Sequence, residues 1–383
     1  MLPKFRLTHY QWRWHIRNQQ GSIILESRDV LLERVKLHTT NGLGILTQLS
    51  HNVTLKNVAV EPRKETERTA ASFSDCFHVY GCTGNILVDN CRFVSAQDDP
   101  INVYNYLLHI VKKESPRTLL LRFPSIEQCG FNVFFPGEKV GFRHRSELLL
   151  KGTNTVASGE LVDKMTIRIT LKEDLPDDLS NFHIENLTRM PNKVVIRNSL
   201  FKRVPTRGIL MNTSRESLIE GNTFHRLPMS AILAKTPDGG YWLQNHINGM
   251  TIKNNTFIEC EGREGTHFTP GTGIIYFNLE TDEVIPGQFP HHKVSIVGNR
   301  FINESVTATA VKARGISGLA IRENTFRTPA ESAHLVTLFA CGDVRIEGNT
   351  LSTPNEKGSI LYGQMKEDEI KAAPATQWVL RSK

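Results

Sequence analysis

No stretch of 18 apolar residues occurs anywhere in the 383 residues of the chain, so no membrane-spanning helix is expected. There is no Lys/Arg-rich block interleaved with aromatics. The net charge is +7, but the basic residues are scattered in small groups: Arg63-Lys64, Lys112-Lys113, Arg143 with Arg145, and Lys202-Arg203. That pattern gives nucleic-acid binding little support. The six cysteines (Cys76, Cys82, Cys91, Cys129, Cys260 and Cys341) form no CxxC and no His/Cys metal spacing. They read as mostly free, buried thiols, and no metal or cofactor is expected. No segment carries a long helical-period apolar stripe, which argues against a helical solenoid. The aromatic and basic N-terminus, Met1 to Arg17, lacks the continuous apolar run of a signal peptide. It reads as a cap fragment, and the sequence is expected to be truncated relative to a longer protein.

What the chain has is a returning phrase, apolar-x-x-Asn-x-Phe. It stands at Ile219–Phe224, Ile252–Phe257, Ile296–Phe301, Ile321–Phe326 and Ile346–Leu351. Looser copies run Leu32–Leu37, Leu55–Val60, Val88–Phe93 and Ile196–Phe201. The copies follow one another at short, similar intervals, except between Val88 and Ile196, where the interval is several times longer. Repeats of this period are stacked units, none of which buries its apolar face alone. Each copy alternates as a strand does, with an asparagine at a bend suited to the left-handed conformation. The expected fold is all-β: a right-handed parallel β-helix of about ten rungs. Asn222, Asn255, Asn299, Asn324 and Asn349 should stack as a structural ladder, with Cys91 and Ser199 in the same slot.

The long interval marks an insertion. Alternating runs at Leu107–Lys113, Thr118–Phe123, Glu138–Arg145, Glu160–Val162 and Thr166–Lys172 are separated by turn signals such as Pro136-Gly137 and Leu175-Pro176-Asp177-Asp178. Short strands with regular breaks suggest a small antiparallel β-barrel. The expected organisation is residues 1–104 as the first part of the β-helix, 105–190 as the barrel and 191–383 as the second part.

The candidate chemistry lies in two stretches, Asp75-Cys76-Phe77-His78 and Gln97-Asp98-Asp99-Pro100-Ile101-Asn102. Asp75 and Asp98 stand as far apart as Leu32 and Leu55, or Ile196 and Ile219, which is one rung elsewhere in the chain. That predicts Asp75 directly over Asp98, with Asp99 beside it, at about 4.8 Å. Three carboxylates in one patch repel, and one must hold its proton more tightly. Paired carboxylates of this kind act on glycosidic bonds. The bland alternative is a simple Asp-Asp-Pro turn. His78 is read as a ligand to a sugar hydroxyl, as an orienter of a carboxylate, or as a corner histidine. Trp242, after Gly239-Gly240-Tyr241, is read as a sugar-stacking platform or as a loop aromatic over the core. Arg207-Gly208 binds a hydroxyl or salt-bridges a neighbour.

Together these residues resemble glycoside hydrolase family 110, the α-1,3-galactosidases that remove terminal galactose from blood-group-B-type glycans. The resemblance is carried by Gly42-Leu43-Gly44-Ile45, Asp75-x-x-His78, Gly81-Cys82-x-Gly84, Gln97-Asp98-Asp99-x-x-Asn102-Val103, Gly130-Phe131, Pro136-Gly137-Glu138, Arg207-Gly208 and Trp242, in order over residues 20–350. It implies a β-helix with inserted barrels, and exo-acting hydrolysis with inversion and without a metal. It places Asp75, Asp98 and Asp99 in the acidic site, with Asp98 or Asp99 activating water. The general acid falls to Glu138 or Glu127. His78, Asn102, Trp242 and Arg207 are the expected substrate-binding residues, and the expected partner is a glycan with terminal galactose. Analogy with the family suggests secretion or a periplasmic location. Three places depart from its usual pattern: Tyr104-Asn105, Leu243-Gln244 and Asn132. A non-catalytic glycan-binding β-helix remains an alternative. So does a polygalacturonase-type enzyme, although the chain has neither the Gly-His-Gly nor the Arg-Ile-Lys of that type.

Overall fold

The computed structural model describes residues 19–126, 128–212, 215–237, 246–261, 273–280, 285, 287–304, 308–328, 334–351, 358–374 and 377–383. Within them the chain winds through three parallel sheets, here A, B and C, of eleven, ten and nine strands. Each rung contributes one strand to each sheet. Sheet A begins Ser22–Leu25, Ile45–Gln48, Phe77–Tyr80, Ile101–Tyr104, Ile209–Met211. The repeated phrase spans the turn from sheet B to sheet C. Its first residue (Leu55, Val88, Ile196, Ile219, Ile252, Ile296, Ile321, Ile346) is fully buried. Its last residue builds a stack from Phe93 through Phe201, Phe224, Phe257 and Phe301 to Phe326, with successive ring centroids 4.7–5.4 Å apart. Each stacked pair adds about 0.5–1.5 kcal/mol beyond its buried area.

The asparagine ladder forms as expected. Asn222 donates its backbone N–H and its side-chain amide to Asn255 Oδ1, at 2.9 and 3.0 Å. The same pair of bonds recurs from Asn255 to Asn299, Asn299 to Asn324 and Asn324 to Asn349. Ser199 extends it, accepting the Cys91 N–H at 3.0 Å. One detail differs from expectation. The left-handed corner residue is not the ladder asparagine but the residue before it: Asn57, Asn90, Asn198, Gly221, Asn254, Gly298, Glu323 and Gly348 all have φ between 53° and 65°. The ladder asparagine points inward, and its neighbour makes the bend.

The insertion is a closed antiparallel barrel of six strands: Leu107–Ser115, Thr118–Arg122, Lys139–His144, Leu150–Asp163, Thr166–Leu171 and Phe182–Asn186. The last strand closes on the first, with Leu107 opposite Glu185. The sequence reading missed Phe182–Asn186 and most of Leu150–Asp163. The former carries His183 and Glu185 on one face and Asn186 on the other, all buried, although they look polar and exposed in sequence. Glu185 is neutralised there by Arg143, whose Nε donates to it at 2.8 Å. The barrel core does not stop at the barrel. It is continuous with Leu49, Tyr80, Tyr104 and Tyr106 of the β-helix. Gly81 makes this junction possible: at φ +60° its missing side chain leaves room for the Tyr106 ring, which a Cβ would meet at 1.9 Å. Among the described residues all six cysteines are free, and five are buried. No described helix is long and apolar enough to cross a membrane.

Candidate active site

Successive turns from sheet C back to sheet A deliver the candidate residues. Phe77 pairs with Ile101, so this rung is one residue longer than the interval from Asp75 to Asp98. The Cys76 N–H bonds Asp99 O at 3.2 Å in the same register. Asp75 is therefore stacked on Asp99, not on Asp98; the expected rung was one residue short. On the next rung Ile101 pairs with Ile209, which stacks Arg207 on Asp99. The result is a column Asp75–Asp99–Arg207, with Asp98 beside it. One carboxylate oxygen from each of Asp75, Asp98 and Asp99 lies within 4.8 Å of the others.

Burial separates the roles of the three. The Asp99 side chain is 2% exposed and that of Asp98 15%, so Asp98 is the one more open to solvent. Burial, outweighing the opposing pull of Arg207, pushes the Asp99 carboxyl up to about 7, with Asp98 and Asp75 adding to the rise. Arg207 Nε donates to Asp99 Oδ1 at 2.8 Å, and its guanidinium stands 3.6 Å from Asp98 Oδ1. Burial works against the charge on Arg207, but Asp99, Asp98 and Asp75 overcome it and raise its pKa. Arg207 is thus engaged with carboxylates, the salt-bridging alternative of the sequence reading.

Asp75 is held differently. It accepts from His78 Nδ1 at 2.6 Å and from Asn102 Nδ2 at 3.2 Å. His78 and Asn102 are partners in register on sheet A. His78 Nε2 faces the Tyr104 hydroxyl at 3.0 Å, and Gln128 of the barrel donates to that hydroxyl at 3.0 Å. A relay therefore runs from the barrel through Tyr104 and His78 to Asp75. Sequence reasoning treated Tyr104 only as a departure and did not consider Gln128. The signal was there for the first: Tyr80 and Tyr104 share the offset of His78 and Asn102. Asn102 Oδ1 is buried without a partner among the described residues and offers an acceptor beside the patch.

Glu138 is not a member of the close carboxylate group. Its oxygens accept from Phe135 N–H at 2.9 Å, Asn186 Nδ2 at 2.9 Å and Arg189 Nε at 2.6 Å. These contacts lie in the barrel and the segment leaving it, and they hold Glu138 in an ion pair with Arg189. Glu127 and Trp242 lie outside the described residues, as does the N-terminal segment up to Arg17.

Residues 178–370 match the family described as right-handed β-helix region, and residues 118–181 match GLAA-B β-barrel domain II. The chain belongs to the right-handed β-helix family. Its relatives there bear out the resemblance read from the motifs. It is 34% identical over 93% of its length to an α-1,3-galactosidase A of Bacteroides fragilis (strain YCH46), covering 59% of that protein. It is 32% identical over 89% of its length to an α-1,3-galactosidase A of Bacteroides thetaiotaomicron, again covering 59%. The chain thus spans rather more than half the length of these relatives. Among solved structures, a surface adhesin of Streptococcus pneumoniae, PfbA, aligns with a TM-score of 0.45 at 14% identity, over 94% of this chain and 69% of that one.

Proposed function

We infer that this right-handed β-helix is a glycoside hydrolase that removes terminal α-1,3-linked galactose, acting from the chain end and with inversion. The observation that carries the reading is the carboxylate column. A fold that needed only a turn here would not stack Asp75 on Asp99 with Asp98 within 4.8 Å, because such a group destabilises the folded state unless it has work to do. The names of the relatives supply the sugar and the linkage.

In this reading Asp98, the exposed member, takes the proton from the attacking water. Asp99 and Arg207 fix its position and its charge. Asp75, oriented by His78 and Asn102, receives a sugar hydroxyl or shares the water. Inversion requires a second carboxyl about 6.5–9.5 Å away, across the scissile bond. The three aspartates are too closely grouped to supply both ends, and Glu138 is committed to Arg189. Glu127, the other acid named in the sequence reading, is the remaining candidate. End-on action fits the barrel, whose Gln128 reaches over to the Tyr104 hydroxyl of the β-helix, next to His78.

The test is proton NMR of Gal-α-1,3-Gal during hydrolysis. β-Galactose appearing first is the expected result. α-Galactose appearing first would mean retention and would overturn the assignment of Asp98 as a base. A folded protein that releases no galactose would favour the glycan-binding alternative.

A further inference from the structure

The three turns that build the patch have a second end. Residues 61–76, 95–100 and 203–208 each run from sheet C to sheet A. Their sheet-A ends carry Asp75, Asp98 with Asp99, and Arg207. The sheet-C ends of the first and third carry cations, Arg63 with Lys64 and Arg203, and that of the second carries Ser95. A cavity of about 530 Å³ is lined there by Arg63, Lys64, Arg68, Ser95 and Arg203. A neighbouring cavity of about 400 Å³ shares Lys64 and Arg203 and adds Arg92 and Lys202. Only Glu61 and Glu67 are acidic in these walls. Glu61 is already paired with Arg92 at 3.0 Å. Arg63, Lys64, Lys202 and Arg203 have no ion pair among the described residues.

The arrangement repels itself. The Arg203 N–H bonds His225 O, and Lys202 pairs with His225, so Arg203 stacks on Arg226 one strand away. Both are left-handed corner residues, at φ 55° and 56°, and like charges at strand spacing destabilise each other. After burial, Lys202 and Arg226 also hold the His225 imidazole below its usual value. Arg226 lines neither cavity, but Lys64 and Arg203 line both; an oxyanion beside them offsets this crowding of cations, and the arginine fork suits planar or tetrahedral oxygen groups. Arg203 and Arg207 lie in one turn, so the two ends are at most about 14 Å apart along the chain. The groove is open, and together its two parts are far larger than one inorganic ion.

We propose that this groove is a subsite for an anionic substituent, a sulfate ester or a carboxylate, on the glycan whose galactose end meets Asp98. The proposal rests on the reading that the carboxylate patch handles a glycan. It makes the enzyme selective for charged glycans, a property that resides outside the reacting centre.

The test is calorimetric binding to the Asp98→Asn protein. The probes are a trisaccharide ending in Gal-α-1,3-Gal, the same trisaccharide with a sulfate ester on its reducing sugar, the same with a uronate there, and inorganic sulfate. An anionic trisaccharide should bind about tenfold more tightly than the neutral one at low salt, and lose that advantage near about 0.5 M salt as screening shortens the range of the field. The tighter of the two anionic probes identifies the substituent. Lys64→Glu combined with Arg203→Glu should abolish the advantage and leave neutral binding unchanged; both residues are on the surface, and an unaltered melting temperature confirms folding. Equal binding of neutral and anionic glycans would overturn the proposal, as would an advantage that survives the double variant. Inorganic sulfate binding as tightly as the glycan would reassign the groove to free oxyanions. Selective binding of the anionic glycan by a protein whose wild type releases no galactose would uphold the subsite and defeat the hydrolase reading.

Discussion

Two corners of the same solenoid stack like on like, with opposite consequences. At the turn from sheet B to sheet C, five asparagines lie one above another, and each amide satisfies the next. At the turn from sheet C to sheet A, Asp75 lies on Asp99 with Asp98 at its side. An amide carries both donor and acceptor, so its column closes on itself. A carboxylate only accepts, so its column needs a cation and a displaced pKa to exist. Arg207 and the raised Asp99 are those two requirements. The same parallel register therefore makes one column a source of stability and the other a site of stored electrostatic tension.

The largest effect that sharpens this contrast should come from Arg207. Arg207→Met leaves Asp98 and Asp99 without their cation; kcat should fall about 100-fold, a loss typical of a removed electrostatic partner, and the acid limb of the pH–rate profile should move up. Arg207→Lys should recover part of the rate. Asn255→Leu attacks the other column. It leaves the Asn222 amide and its backbone N–H without an acceptor, and should cost about 2–3 kcal/mol in denaturant unfolding with kcat unchanged. A smaller effect follows from proton linkage. In the folded protein Asp99 is raised from 3.8 to about 7, so the folded state binds more protons than the unfolded one between these values. Its contribution to stability is present at low pH and is lost as pH rises through about 7. Asn at position 99 does not titrate. The melting temperature of Asp99→Asn relative to wild type should therefore be more favourable near pH 8 than near pH 5. A pH-independent difference would show that Asp99 is not displaced.

The repeating corner was legible in sequence because its signal is periodic: every rung restates apolar-x-x-Asn-x-Phe. The site corner is written once. Its chemistry showed in Asp75, Asp98, Asp99, His78 and Asn102, but its register did not, because rung length varies along the chain and spacing alone does not reveal where a rung gains a residue. That single residue exchanged Asp98 for Asp99 in the column, and with it the exposed role for the buried one. Arg207 was singled out from sequence, yet its engagement with Asp99 depends on a partner 108 residues away. The barrel strand Phe182–Asn186 was hidden because three of its buried residues, His183, Glu185 and Asn186, are polar, and the pairing of Glu138 with Arg189 across 51 residues left no pattern in the sequence.

The most direct measurement of the central claim sets Asp98→Asn beside Asn255→Leu, with galactose release and unfolding free energy recorded for both. Asp98→Asn should lose at least about 1,000-fold in kcat, as for a removed general base together with its charge, with stability unchanged or raised. Asn255→Leu should lose stability and keep its turnover. An active Asp98→Asn protein, or one that loses stability as the ladder variant does, would contradict the claim that the carboxylate column exists for chemistry rather than for the fold.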